Sequence, residues 1–277
     1  GGGALQVNGA ATLSSGAGSM TLGALNTTGA LSVTTSSGAV SLGSVVVGNG
    51  LSFTSTSGTL TQTAALDLTG GATINTGSAV TLDQTGNTLR GTLALTAGAT
   101  QLTQSGSTAL TLGTLNTGVL TARTGTGLLN LGQGTVAGLD VLTTGGGITQ
   151  GGATLQVNGA ATLSAGAGAV TLGALNTTGA LSLTTSTGAA SLGAVTVGSG
   201  LSFTSTSGTL TQTGALDLTG GATVNTGGAV TLDQTGNTLR GTLDLTAGAT
   251  RLTQSGSTAL TLGTLNTGLL TARTGTG

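Results

Sequence analysis

The chain has 277 residues, 63 of them Thr and 55 Gly, and its six Asp and five Arg leave a formal charge of −1. It has no Lys, Glu, His, Cys, Tyr, Trp or Pro, so the usual nucleophiles, bases and soft metal ligands are missing. Five Arg and two Phe supply too few phosphate partners and stacking rings for a nucleic-acid surface, and 4% charged residues is far below the charge of a disordered chain.

From residue 11 the chain reads as a succession of short segments: 11–30, 31–50, 51–71, 72–92, 93–118, 119–138 and 139–160. The segment LSVTTSSGAVSLGSVVVGNG at 31–50 is the clearest copy. One residue separates Leu31 from Val33, Val40 from Leu42, and Val45 from Val47, and Gly38, Gly43, Gly48 and Gly50 lie between or after these pairs. Alternation of this kind has the period of a strand, which sends every second side chain to one face. Thr between the aliphatics suits a strand whose other face is wet, and Gly supplies corner conformations. The prediction is three short strands per coil of about 20–22 residues, with a corner after each.

In 51–71, Phe53 alternates with Leu51 and is expected to fill the core, as is Phe203 beside Leu201. In 72–92, Asp83 and Arg90 flank a turn and follow inward Leu82 and Leu89. They are expected to form a surface ion pair worth about 0–1 kcal/mol. Segment 93–118 is the longest of the seven. Its excess is expected to bulge as a loop or an extra strand and to be the best place for a partner to touch. Thr143-Thr144-Gly145-Gly146-Gly147 lacks the Asp of a calcium-binding β-roll. Asp67, Asp83 and Asp140 are scattered over different coils, where an enzyme would need convergent acids. Thr54 with Thr56, Thr61 with Thr63 and Thr124 with Thr126 have a Thr-x-Thr spacing, but not at one position in every coil, so an ice-binding face is only a remote alternative.

Residues 1–127 align without a gap with 151–277, with 17 differences. Most are mild: Met20 becomes Val170, Val33 becomes Leu183, Ile74 becomes Val224. Asp83 and Arg90 recur as Asp233 and Arg240. Two changes bring charge, Ala94 to Asp244 and Gln101 to Arg251, and these are expected to pair with each other. The domain reading is a first repeat unit at 1–150 and a second, incomplete but continuous, at 151–277, the whole expected to be a slice of a longer array. The opening Gly1-Gly2-Gly3-Ala4 lacks the regions of a signal peptide, and no stretch approaches 18 apolar residues, so no membrane insertion is expected in this segment.

A coil of this length cannot bury its own apolar face, but stacked coils can. The expected fold is therefore an all-β parallel β-helix solenoid, right-handed by analogy with other parallel connections. Inward columns such as Leu13–Val33–Phe53–Ile74 form its core, and the absent prolines leave ladder donors intact.

The stretches GGGITQGGATLQVNGAATLSAGAG (145–168) and AVTLDQTGNTLRGTLALTAGAT (79–100) resemble repeats of large secreted bacterial adhesins. These are the filamentous-haemagglutinin-like exoproteins of two-partner secretion and related giant surface proteins. The resemblance covers the whole chain as a pattern. It implies a right-handed parallel β-helix, secretion across the outer membrane to an extracellular or cell-surface location, and roles in adhesion, aggregation or a biofilm matrix. The expectation is a structural fibre segment, not an enzyme, with no catalytic, cofactor-binding or metal residues. Its partners would be other copies, assembling into fibres or bundles, or cell-surface and glycan contacts, and not nucleic acid. The alternative is a glycan- or receptor-binding module that acts through 93–118.

Overall fold

A computed structural model describes residues 3–151 and 153–276; Gly1 and Gly2 of the opening stretch, Gly152 and Gly277 lie outside it. The architecture is an all-β parallel β-solenoid of about 13 turns, with no helix among the described residues. By packing, the chain divides into two compact units, Gly1–Val136 and Ala137–Gly277.

The alternation read from the sequence sets the geometry. One turn of the first unit holds strands Leu25–Thr27, Leu31–Thr35 and Val40–Leu42. The next holds Val45–Val47, Leu51–Ser55 and Leu60–Gln62. Each strand pairs in parallel with its equivalent one turn on: Leu25 with Val45, Leu31 with Leu51, Val40 with Leu60. A period-two pattern fixes which residues face in, because a one-residue slip would expose every aliphatic.

The inward residues stand in columns. Leu13 lies on Val33, Val33 on Phe53, Phe53 on Ile74, Ile74 on Leu95 and Leu95 on Leu115. In the second unit the column runs Val141, Leu163, Leu183, Phe203, Val224, Leu245. Phe53 and Phe203 are fully buried, as expected. Burying each such Leu, Val or Phe contributes roughly 1.5–3 kcal/mol.

Corners are held in two ways. Gly71 takes φ 86°, and a Cβ added there would press on the backbone of Thr92. Gly38 has an ordinary backbone, but a Cβ on it would meet the carbonyl of Gly18, and one on Gly58 would meet that of Gly38. Only hydrogen fits between turns at this corner. Beside it runs a buried file of hydroxyls. Thr35 Oγ1 lies 3.0 Å from Gly38 O and 3.0 Å from Ser55 Oγ, Gly58 N donates to Ser55 Oγ at 2.7 Å, and Thr76 donates to Gly58 O at 2.7 Å.

Segment 93–118 corrects the expectation of an oversized turn. Leu93 pairs with Leu112 and Leu95 with Leu115, with a register shift between them. The chain therefore comes round in 19 residues and then 20, and the irregularity is a bulge of one residue inside the strand Leu110–Thr124. A bulge absorbs an extra residue without leaving the sheet. The segment's longest non-strand stretch, 105–109, makes a corner no longer than the one at 83–87.

Candidate functional surface and buried amide clusters

Outward positions stack as regularly as inward ones. On the face built by the longer strands of the first unit, Ser14, Thr34, Thr54, Asn75, Thr96 and Asn116 follow one another from turn to turn. All six are exposed. Beside them run Thr12, Ser32, Ser52, Thr73 and Ala94. Turns lie roughly 4.7–4.9 Å apart, so this face offers files of closely spaced donors and acceptors with no charge. The Thr-x-Thr pairs do not assemble into one plane. Thr54 is in the file and exposed, whereas Thr124 is 5% exposed, with its hydroxyl turned inside and, among the described residues, without a hydrogen-bond partner.

The charged residues form pairs other than those expected. Arg90 Nη1 contacts Asp67 Oδ1 at 2.5 Å, not Asp83, and Arg240 contacts Asp217 in the same way at 2.5 Å. Arg251 Nε lies 3.5 Å from Asp233 Oδ2, not against Asp244. The reason is register. Asp67 stands beside Thr88 of the next turn, two residues before Arg90, and Thr231 stands beside Arg251, two residues before Asp233. Each pair is thus a diagonal neighbour across adjacent strands, a distance that a long side chain spans. Residues seven apart around a corner face different directions. Asp244 serves the backbone instead, its Oδ1 accepting the N–H of Thr264 at 2.7 Å. Thr264 sits where the register shifts between the pairs Leu243–Leu262 and Leu245–Leu265, so the carboxylate caps a bulge.

Sequence reasoning missed five glutamines in the tripeptide Leu/Ile-Thr-Gln. Gln62, Gln104, Gln150, Gln212 and Gln254 are 8%, 1%, 4%, 8% and 1% exposed. Each occupies an inward strand position but turns its amide to the backbone of a corner. Gln62 Nε2 donates to Ala64 O at 2.6 Å, and Gln104 Nε2 donates to Thr108 O at 2.6 Å while its Oε1 accepts Leu89 N at 2.5 Å. Gln150 Oε1 accepts Gly173 N at 2.9 Å.

Asn87, 1% exposed, is the hub of the first cluster. Its Oδ1 accepts Gln62 Nε2 at 2.8 Å and Leu66 N at 2.9 Å. Its Nδ2 shares two hydrogens among Gln62 Oε1 at 2.9 Å, Thr103 O at 3.0 Å and Leu82 O at 3.2 Å. The second unit repeats the cluster around Asn237, with Gln212, Leu216, Leu232 and Thr253 in the same roles. Buried amides this fully paired are structural: every polar atom is satisfied, and none is left to act on a substrate. The signal that could have found them is the recurrence of one polar residue type in the inward phase of the alternation.

Among the described residues no three acidic side chains gather into a metal-ligand group, and no helix is long and apolar enough to cross a membrane. A protein-family model described as "Repeats of unknown function (DUF5649)" matches residues 28–96, 117–184 and 178–246. No curated protein and no solved structure matches the chain.

Proposed function

The chain belongs to that family of repeats, and from this premise we propose that it is a structural segment of an extracellular fibre that mediates adhesion between cells or between cells and surfaces. The observation that carries the reading is the double register of the turns: aliphatic columns inside, and neutral Ser, Thr and Asn files outside, repeated turn after turn. A solenoid gains reach by adding turns, each docked on a near-copy of the last. Its outward files offer many weak, identical contacts, which add through multivalency. The work is reach and contact area rather than turnover.

The resemblance of 79–100 and 145–168 to filamentous-haemagglutinin-like repeats supports secretion across the outer membrane, display at the bacterial surface, and lateral association of copies into bundles or a matrix. Low charge on the files removes the repulsion that would oppose such association.

The test is immuno-electron microscopy of native cells and their medium with an antibody to this chain, combined with cell fractionation. Labelled thin filaments or bundles at the surface are expected. Label confined to the interior of the cell would overturn the proposal. Cells lacking the chain should lose aggregation or surface attachment.

A further inference from the structure

We infer that Asn87 and Asn237 are mechanical stops that arrest turn-by-turn peeling of the solenoid. In a stack of this kind a turn is held almost wholly by its two neighbours, so an end turn under load can leave alone. Ladder bonds then break one after another, and turns of similar composition should peel with similar ease. The amide clusters break that uniformity. The Asn87 side chain ties three successive passes of one corner: it bonds Gln62 and the N–H of Leu66 in the pass before, Leu82 in its own, and Thr103 in the pass after. Gln104 adds a further tie by accepting the N–H of Leu89.

Peeling from the Gln62 side must break three bonds to the Asn87 amide within one turn, at 2.8, 2.9 and 2.9 Å. It also leaves Asn87 Oδ1 facing an opened core without a partner, while Nδ2 keeps Leu82 O and Thr103 O, and a buried acceptor stripped of its donors is costly. Asn237 makes the same bonds in the second unit, to Gln212 at 2.7 and 2.9 Å and to Leu216 N at 2.9 Å. The two stops are 150 residues apart, so the structure assigns one stop to each long repeat, and the rest of each repeat to release in smaller steps.

Optical-tweezers extension of the whole chain, held by its two ends, tests this. Wild type should give small steps of about one turn with two long dwells, separated by roughly 500 Å of released chain. Asn87→Ala should shorten one dwell and Asn237→Ala the other, each by about tenfold or more, the factor carried by a single lost bond of ordinary strength. Dwells unmoved by both variants, or a wild-type trace with no dwells, would overturn the inference. Should a variant fail to fold, hydrogen exchange of the wild type decides: the amides of Leu66 and Leu216 should be the most protected of their turns, and protection no higher than that of neighbouring turns would sink the stops.

Discussion

The two copies of the long repeat build the same turns from different residues around the same ring. In the first, Phe53 lies between Val33 and Ile74; in the second, Phe203 lies between Leu183 and Val224. The change from Val to Leu adds one carbon on one side, and the change from Ile to Val removes one on the other. Summed volume around the ring is kept, which is what a close-packed core requires. Outside, nothing comparable constrains the two copies: Ala94 becomes Asp244 and Gln101 becomes Arg251, while the register and even the bulge stay the same. Divergence is free where side chains meet water and compensated around the Phe ring, whereas buried Val40 becomes Ala190 and its column neighbour Met20 becomes Val170, both smaller.

Removing the ring itself should erase the distinction between the copies. Phe53→Ala and Phe203→Ala should each cost about 3–5 kcal/mol, read as a lower urea midpoint by circular dichroism. Taking away the shared hub comes next. Asn87→Ala orphans several buried groups and should cost at least about 1–3 kcal/mol in its own unit, with the loss confined there in hydrogen exchange. The compensation around the ring is open to a direct double-mutant cycle. Val33→Leu alone should overpack the first copy by about 1–3 kcal/mol, and adding Ile74→Val should restore most of it. Simple additivity of the two changes would refute compensation.

Smaller effects probe the outer face. Asp244→Ala removes the cap on the second copy's bulge and should cost about 0.5–1.5 kcal/mol, with faster exchange of the Thr264 amide. Last, the exposed Arg90–Asp67 pair should contribute about 0–1 kcal/mol, with non-additivity in an Arg90/Asp67 cycle and none in an Arg90/Asp83 cycle.

Much of this was legible in the residues. Alternation at 31–50 specified strands and corners, and the column Leu13–Val33–Phe53–Ile74 stands as the sequence spacing implies, because inward phase and turn length are local properties. The charge pairs were not legible. Asp67 and Arg90 are 23 residues apart and meet through the register of adjacent turns, which composition does not encode. Segment 93–118 misled because its Gly and Thr spacing does not mark where the turn closes; the pairing of Leu93 with Leu112 does. Gln62 and Asn87 were hidden because an amide looks like a surface residue until its backbone partners are in view.

The glycine file at Gly18, Gly38 and Gly58 has an evolutionary consequence. Gly38 and Gly58 each sit against the carbonyl of the glycine a full lap earlier, so a gain or loss of a few residues would set a side chain where only a hydrogen fits. A small length change in these laps must therefore be taken up elsewhere, as a bulge takes up one residue in the strand Leu110–Thr124, whereas the stack itself lengthens by complete laps, in quanta of roughly 4.7–4.9 Å, like the graduations of a ruler.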